Sequence, residues 1–230
     1  MNALTRISHG AFLRSLALAA LGVCVACTFT GCAGIGGMIE NYKRESTHSI
    51  APEYTGLAGK SFAVVVTADR SIQAQHPLLV ETIMNRVTQR LSDAKNMPKA
   101  AGFVPASTVA AYQYKTPGWT GKSLSELGRQ LGNPQRLIFI EVSEFRLHEP
   151  GNQYEWNGAA SGRVAIAELD SATPDDYAFQ KNLAMTFPDK KGVSTTDMPE
   201  NLITSELLRR IVDRTVWPLV KHEEPYYPKY

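Results

Sequence analysis

An uncharged, mostly apolar run of 15 residues, Ser15 to Phe29, stands behind two basic residues, Arg6 and Arg14, and ends at Gly31. That is the layout of a secretory leader. A membrane-spanning helix needs about 20 apolar residues, and here glycines at positions 31, 34, 36 and 37 break the run. The leader sets the conditions for the rest of the chain: the folded part lies beyond it and folds in an oxidising compartment. Cysteine usage fits that setting. Cys24, Cys27 and Cys32 all lie in this opening segment, so no disulfide can form within the body. A body of about 150–200 residues buries roughly 70% of its unfolded surface and needs no covalent staple.

The stretch Phe29-Thr30-Gly31-Cys32-Ala33 resembles the bacterial lipobox, with Phe29 where leucine is usual. Cys24 and Cys27 compete for the role, and Ala26 before Cys27 suits it, but both fall inside the apolar run and would leave a very short signal. The resemblance implies diacylation of Cys32 on sulfur and removal of residues 1–31. It also implies a palmitate-type anchor of three acyl chains, which holds where a single chain, at about 0.8 kcal/mol per buried methylene, holds only marginally. Ala33, in place of Asp, resembles the sorting signal for the outer membrane. The alternatives are an ordinary signal peptide with incidental cysteines and an uncleaved anchor.

Composition then narrows the function classes. The chain carries 24 Lys and Arg against 22 Asp and Glu, but Arg6 and Arg14 lie in the leader and no acidic residue does, so the body is balanced. It lacks the concentrated positive footprint that nucleic acid requires, and an acidic solvating tail is equally excluded. A hydrophobic content of 43% is that of a globular domain.

Residues 32–58 are Gly-rich and then polar, and read as a flexible tether. A domain is expected over 59–222, with an aromatic tail, 223–230, after it. It opens with Phe62-Ala-Val-Val-Val-Thr67, a run suited to a strand buried on both faces. After Pro77, Leu79, Ile83, Val87 and Leu91 recur every four residues, which predicts a helix with that stripe on the core. Gly102-Phe-Val-Pro105 reads as a brief strand and Ser107 to Tyr112 as one or two helical turns. Ser123 and Glu126 form a capping box in which Glu126 reaches back to the cap, starting a helix through Leu124, Leu127 and Leu131. Arg136 to Leu147 reads as a strand. Alternation from Tyr154 to Leu169, and again from Tyr177 to Phe187, completes a three-strand meander. Leu202 to Val220 is amphipathic, with Ile203, Leu207, Leu208, Ile211, Val212 and Val216 on one side and Arg209, Arg210, Asp213 and Arg214 on the other. The expected class is α/β (α+β): a five-stranded mixed sheet with helices on one face, in the order β-α-β-α-β-β-β-α.

Phe62 to Thr67, then Phe103-Val104-Pro105, then Leu124-Ser-Glu-Leu-Gly128 through Gly132, leading into Leu137-Ile-Phe-Ile-Glu-Val142, succeed one another in an order that resembles a known domain family. It is the periplasmic α/β domain of the curli-secretion lipoprotein CsgG, the penicillin-binding-protein activator LpoB and the amino-terminal part of TolB. The resemblance covers roughly half of the chain. It implies a periplasmic module in the cell envelope.

No residue pattern points to catalysis. Gly59-Lys60-Ser61 and Gly121-Lys122-Ser123 mimic the end of a phosphate-binding loop, but Tyr54 and Thr116 stand where that loop needs its first glycine, so no nucleotide is expected. His48, His76, His148 and His222 are dispersed, with no metal-ligand spacing. Asp175-Asp176 beside Pro174 reads as a turn before it reads as an acid/base dyad. No Gly-x-Ser-x-Gly elbow is present. Glu141, inside an apolar strand, needs a cationic partner if it is buried, and is otherwise an exposed edge position. Trp119, in the turn-rich loop Lys115 to Gly121, is the candidate partner-binding residue, with packing over the core edge as its alternative. No cofactor and no metal are expected.

The function expected from the sequence is that of a non-enzymatic outer-membrane lipoprotein. Acyl chains on Cys32 hold it, its domain faces the periplasm, and it acts as a binding or assembly module for another envelope protein. The alternatives are a subunit of an oligomeric secretion pore, with Tyr154 to Leu169 long enough to span, and a periplasmic hydrolase.

Overall fold

The computed structural model describes residues 46–93 and 99–225 of the 230. The leader, Cys32 and the end of the aromatic tail lie outside the described residues. The chain divides into two compact units. The described residues of the smaller one are 46–48 and 224–225, and the larger one, from Ser49 to Glu223, is the domain proper. Strands β1 (Thr47–Ile50) and β7 (His222–Pro225) pair with each other in a two-stranded sheet.

The domain is built on a five-stranded sheet in the order β3-β2-β4-β5-β6, with β2 at Ser61–Ala68, β3 at Gly102–Phe103, β4 at Arg136–Arg146, β5 at Gly158–Glu168 and β6 at Tyr177–Phe187. β2 runs parallel to β3 and β4, whereas β4, β5 and β6 form the antiparallel meander. The helices are α1 (Arg70–Gln75), α2 (Leu79–Ser92), α3 (Ala106–Lys115), α4 (Leu124–Gln130) and α5 (Glu200–Val216). The mixed sheet and the element order match the sequence expectation. The short helix α1 and the β1/β7 pair are additions that no periodicity marked.

Register explains where the core sits. Val64 pairs with Ile138 and Val66 with Ile140, and these in turn lie beside Ile166 and Val164, so one sheet face is an unbroken aliphatic surface. The two long helices cover that face. α2 buries Leu79, Ile83, Met84, Val87 and Leu91, and α5 buries Ile203, Leu207, Ile211 and Val216, with Ile203 and Leu207 lying over Gly158 of β5. The strand considered as a membrane-spanning segment, β5, thus lies inside the sheet between β4 and β6, with one side packed against α5. No helix among the described residues is long and apolar enough to cross a membrane.

The parallel crossover from β3 to β4 must return on the opposite face if it is right-handed. There Ala63, Val65 and Leu137 are buried, and Phe139 is half-covered. Beyond Phe139 this face carries polar or small residues and is open.

Two arginines are buried, and the first corrects the sequence reading. Arg210 and Asp213, assigned there to the polar side of the last helix, are 2% and 4% exposed. The spacing Ile203, Leu207, Arg210 repeats the apolar stripe by fours and threes, so Arg210 must enter the core. It does so with full compensation. Its guanidinium donates to Asp189 twice, at 2.7 and 3.0 Å, to Glu206 at 3.0 Å and to the carbonyl of Thr186 at 2.6 Å, and it lies 4.9 Å from the centre of the Phe187 ring.

The second, Arg136, is 5% exposed. It donates to the carbonyls of Gly56 and Gln135, both at 2.8 Å, and to Asp170. Asp170 also takes Lys60 at 2.7 Å. Nearby, the hydroxyl of Tyr54 donates to Glu168 at 2.7 Å. Tyr54 and Leu57, 8% and 1% exposed, belong to the core, so the end of the stretch expected as a tether is domain. A contact 114 residues away in sequence fixes Tyr54, and local composition carries no trace of it.

Lys60 first, and then Arg136, hold the Asp170 carboxyl down at about 2, below the ordinary value of about 3.9. Its stabilising contribution is therefore complete above the unfolded-state value and is lost as the pH falls toward 2. Asp170→Asn should melt below the native protein at pH 6, and the difference should shrink by pH 2.5. A difference in melting temperature that stays constant between those pH values would contradict the assignment.

Candidate partner-binding surface

Trp119 lies in a loop whose shape derives from its glycine. Gly118 has φ +82°, a conformation that side-chain-bearing residues rarely adopt. The tight turn that it permits becomes one turn of 3₁₀ helix, Trp119–Gly121, closed by the Lys122 N–H donating to the Trp119 carbonyl at 3.1 Å. The turn brings the indole over the sheet, 6.2 Å from the Phe139 ring centre with the planes at 54°. Trp119 is half-buried there. It lines a cleft of about 240 Å³ with Leu124, Leu127, Phe139 and Tyr177.

The polar rim of this cleft is held by helix α4. The Ser123 hydroxyl accepts the Glu126 N–H at 3.2 Å, as the capping box requires. The reciprocal arm is absent, because the Glu126 carboxylate takes Lys122 instead. A cap from outside the helix replaces it: Asp175 accepts the Ser125 N–H at 2.8 Å and the Ser125 hydroxyl at 3.2 Å. That backbone bond holds the Asp175 carboxyl below its ordinary range. The Asp175-Asp176 turn is thereby tied to the loop that carries Trp119.

From Tyr177 the open face continues as a polar ladder across three strands. Arg163 of β5 donates to Glu141 of β4 at 3.0 Å and to Gln180 of β6 at 3.2 Å. Its guanidinium carbon stands 5.8 Å from the Tyr177 ring centre. Burial pushes the Tyr177 hydroxyl up, and Arg163 opposes the shift. Glu141 is paired and about half exposed, its side chain being 47% accessible, so it is a surface ion pair worth at most about 1 kcal/mol.

The other residues singled out in the sequence lie apart from the cleft. Ser61 accepts the Gln135 N–H at 3.1 Å, so Gly59-Lys60-Ser61 serves the start of the sheet. His76 meets Phe145 edge-on at 4.8 Å, His148 stacks on Trp156 at 4.5 Å and His222 stacks on Trp217 at 5.0 Å. Among the described residues no group of three or more His, Cys, Asp or Glu side chains is placed to hold a metal ion. Cys32 lies outside the described residues.

No protein-family model matches the chain, and no curated protein matches it. Solved bacterial proteins share part of its path. One is the lipoprotein GNA1162 from Neisseria meningitidis, at 12% identity and a TM-score of 0.44, covering 67% of this chain and 96% of that one. A second is the PelC dodecamer from Paraburkholderia phytofirmans, at 10% identity and 0.41, covering 75% and 95%. A third is the hypothetical protein CT253 from Chlamydia trachomatis, at 18% identity and 0.40, covering 70% and 98%.

Proposed function

We propose that this chain is a lipid-anchored module of the bacterial outer membrane, held by acyl chains on Cys32, with its domain in the periplasm and the surface around Trp119 docked on another envelope protein. The observation that carries the reading is the confinement of every cysteine to the leader and its junction, with Gly31-Cys32-Ala33 closing the apolar run. A body without thiols suits an oxidising compartment. Binding is favoured over catalysis by what the polar side chains do. Asp175 and Ser123 cap a helix, Lys60 and Lys122 sit in ion pairs, and His76, His148 and His222 pack on aromatic rings. The Trp119 cleft offers a large amphipathic ring beside Tyr177, the residue types that dominate binding energy at interfaces. The module works without cofactor, nucleotide or nucleic acid.

Chemical crosslinking in intact membranes, with subsequent fractionation, tests both halves. Cys32→Ala should lose palmitate labelling and appear in the soluble periplasmic fraction, whereas unchanged membrane fractionation would overturn the anchor. Trp119→Ala should stay with the membrane but lose its crosslinked partner. An unchanged crosslinking pattern would overturn the docking surface.

A further inference from the structure

The two edges of the sheet are treated differently. On one side β3 is only two residues long, and the part of β2 beyond it is closed by side chains: Gln113 donates to the Val66 carbonyl at 3.0 Å, and Gln73 to that of Ala68. On the other side β6 is an edge strand of 11 residues, about 37 Å of backbone. Among the described residues it makes no backbone hydrogen bond outside its ladder with β5. Natural proteins blunt such edges with proline, charge or bulges, because an open edge templates another strand. β6 has no proline, its one register shift, at Ala178, lies near its amino-terminal end and leaves Phe179 to Phe187 regular, and its one charged side chain, Lys181, is paired with Glu53. Only at its end is a carbonyl occupied, that of Thr186 by Arg210.

We propose that two copies of this chain pair edge to edge through β6, antiparallel and centred on Asn182, to make one continuous ten-stranded sheet. The proposal stands independently of the lipid anchor and of the Trp119 surface. The chemistry of the strand selects a second copy over a foreign partner. Its exposed side chains, Ala178, Gln180, Asn182, Ala184 and Thr186, are all uncharged, so nothing on the edge seeks a complementary charge. About Asn182 the strand complements itself, with Gln180 opposite Ala184 and Lys181 opposite Leu183. A register centred on Lys181 would set lysine against lysine, a like-charge pair that antiparallel ladders disfavour. The apolar side gains as well. Phe179 and Phe187 are half-buried at the rim of the core, and this register lays Met185 of the second copy beside Phe179.

The test is the mass of the full chain, purified from whichever cell fraction holds it and kept in detergent, measured by light scattering with the detergent subtracted. The native protein should be a dimer at micromolar concentration. Asn182→Lys, at an exposed position opposite Arg163 of β5, should keep a cooperative melt at a slightly lower temperature and weaken the dimer by at least about tenfold, because juxtaposed like charges are strongly unfavourable at an interface. Asn182→Asp should weaken it likewise. Mixing the two variants should restore a heterodimer by setting Lys against Asp. A native monomer, a dimer or larger assembly insensitive to Asn182→Lys, or a loss that mixing does not recover would each overturn the proposal. Should Asn182→Lys fail to melt cooperatively, Ala184→Lys, which faces Gln180, gives the same reading.

Discussion

Arg210→Met should lower the melting temperature of the domain by roughly 5–10 °C, corresponding to a loss of about 2–3 kcal/mol. Methionine keeps the length and the apolar stem, so the loss comes from the charge network and not from a cavity. Three acceptors are affected in different ways. Glu206 keeps Arg209 at 2.6 and 2.8 Å, and Asp189, with 41% of its side chain accessible, turns to solvent. The Thr186 carbonyl loses its Arg210 donor. That bond is only part-buried, so the carbonyl bears part of the desolvation penalty of an unpaired acceptor, and the two carboxylates are likewise only partly desolvated, which keeps the effect below that of a fully buried broken pair. Thermal melts by circular dichroism read the difference directly, and a shift under about 2 °C would show that Arg210 contributes packing alone.

Gly162→Ala should be at least as costly, about 3 kcal/mol, for a reason that involves no charge. Gly162 lies on β5 opposite Val142, next to the register shift between Val142 and Glu144. A β-carbon at this position would fall inside the van der Waals envelope of the Glu141 carbonyl oxygen. The obstacle is backbone, so no rotamer change relieves it, and the β4–β5 ladder would have to part. Gly102→Ala is the matched control. Nothing lies within 4 Å of the β-carbon position there, and its effect should stay within about 0.5 kcal/mol. Urea denaturation of the two variants beside the native protein distinguishes a clash from a general intolerance of side chains at strand glycines.

Both positions show what a single sequence reveals and what it withholds. β2, β4 and the meander are legible because β-branched runs and alternation report local burial, and α2 because its apolar residues recur every four. Arg210 is misplaced when charge is equated with exposure, although its spacing from Ile203 and Leu207 marks the buried stripe. Tyr54 and Leu57 read as tether because the groups that bury them are distant in sequence. Trp119 illustrates the same limit at the candidate surface. A loop of Thr, Pro and Gly reads as exposed, and only the crossover above the sheet brings its indole to Phe139, 20 residues later. Ser123 is legible as a cap. That Glu126 turns to Lys122, and that Asp175 supplies the second cap, depends on a turn 50 residues further along the chain.

The turn between β5 and β6 also governs the order in which the chain can fold. Glu168 holds Tyr54, Asp170 holds Lys60 and Arg136, and Asp175 holds the start of α4. Three earlier segments are therefore locked by a stretch of eight residues, Glu168 to Asp175, that lies in the last third of the sequence. Contacts of such long sequence separation form slowly, since the loop-closure entropy is spent before the contact repays it. A chain threaded across a membrane amino terminus first would keep its leading half loose until this turn emerged, and then close around it. The closing step of folding then belongs to a turn in the last third of the sequence.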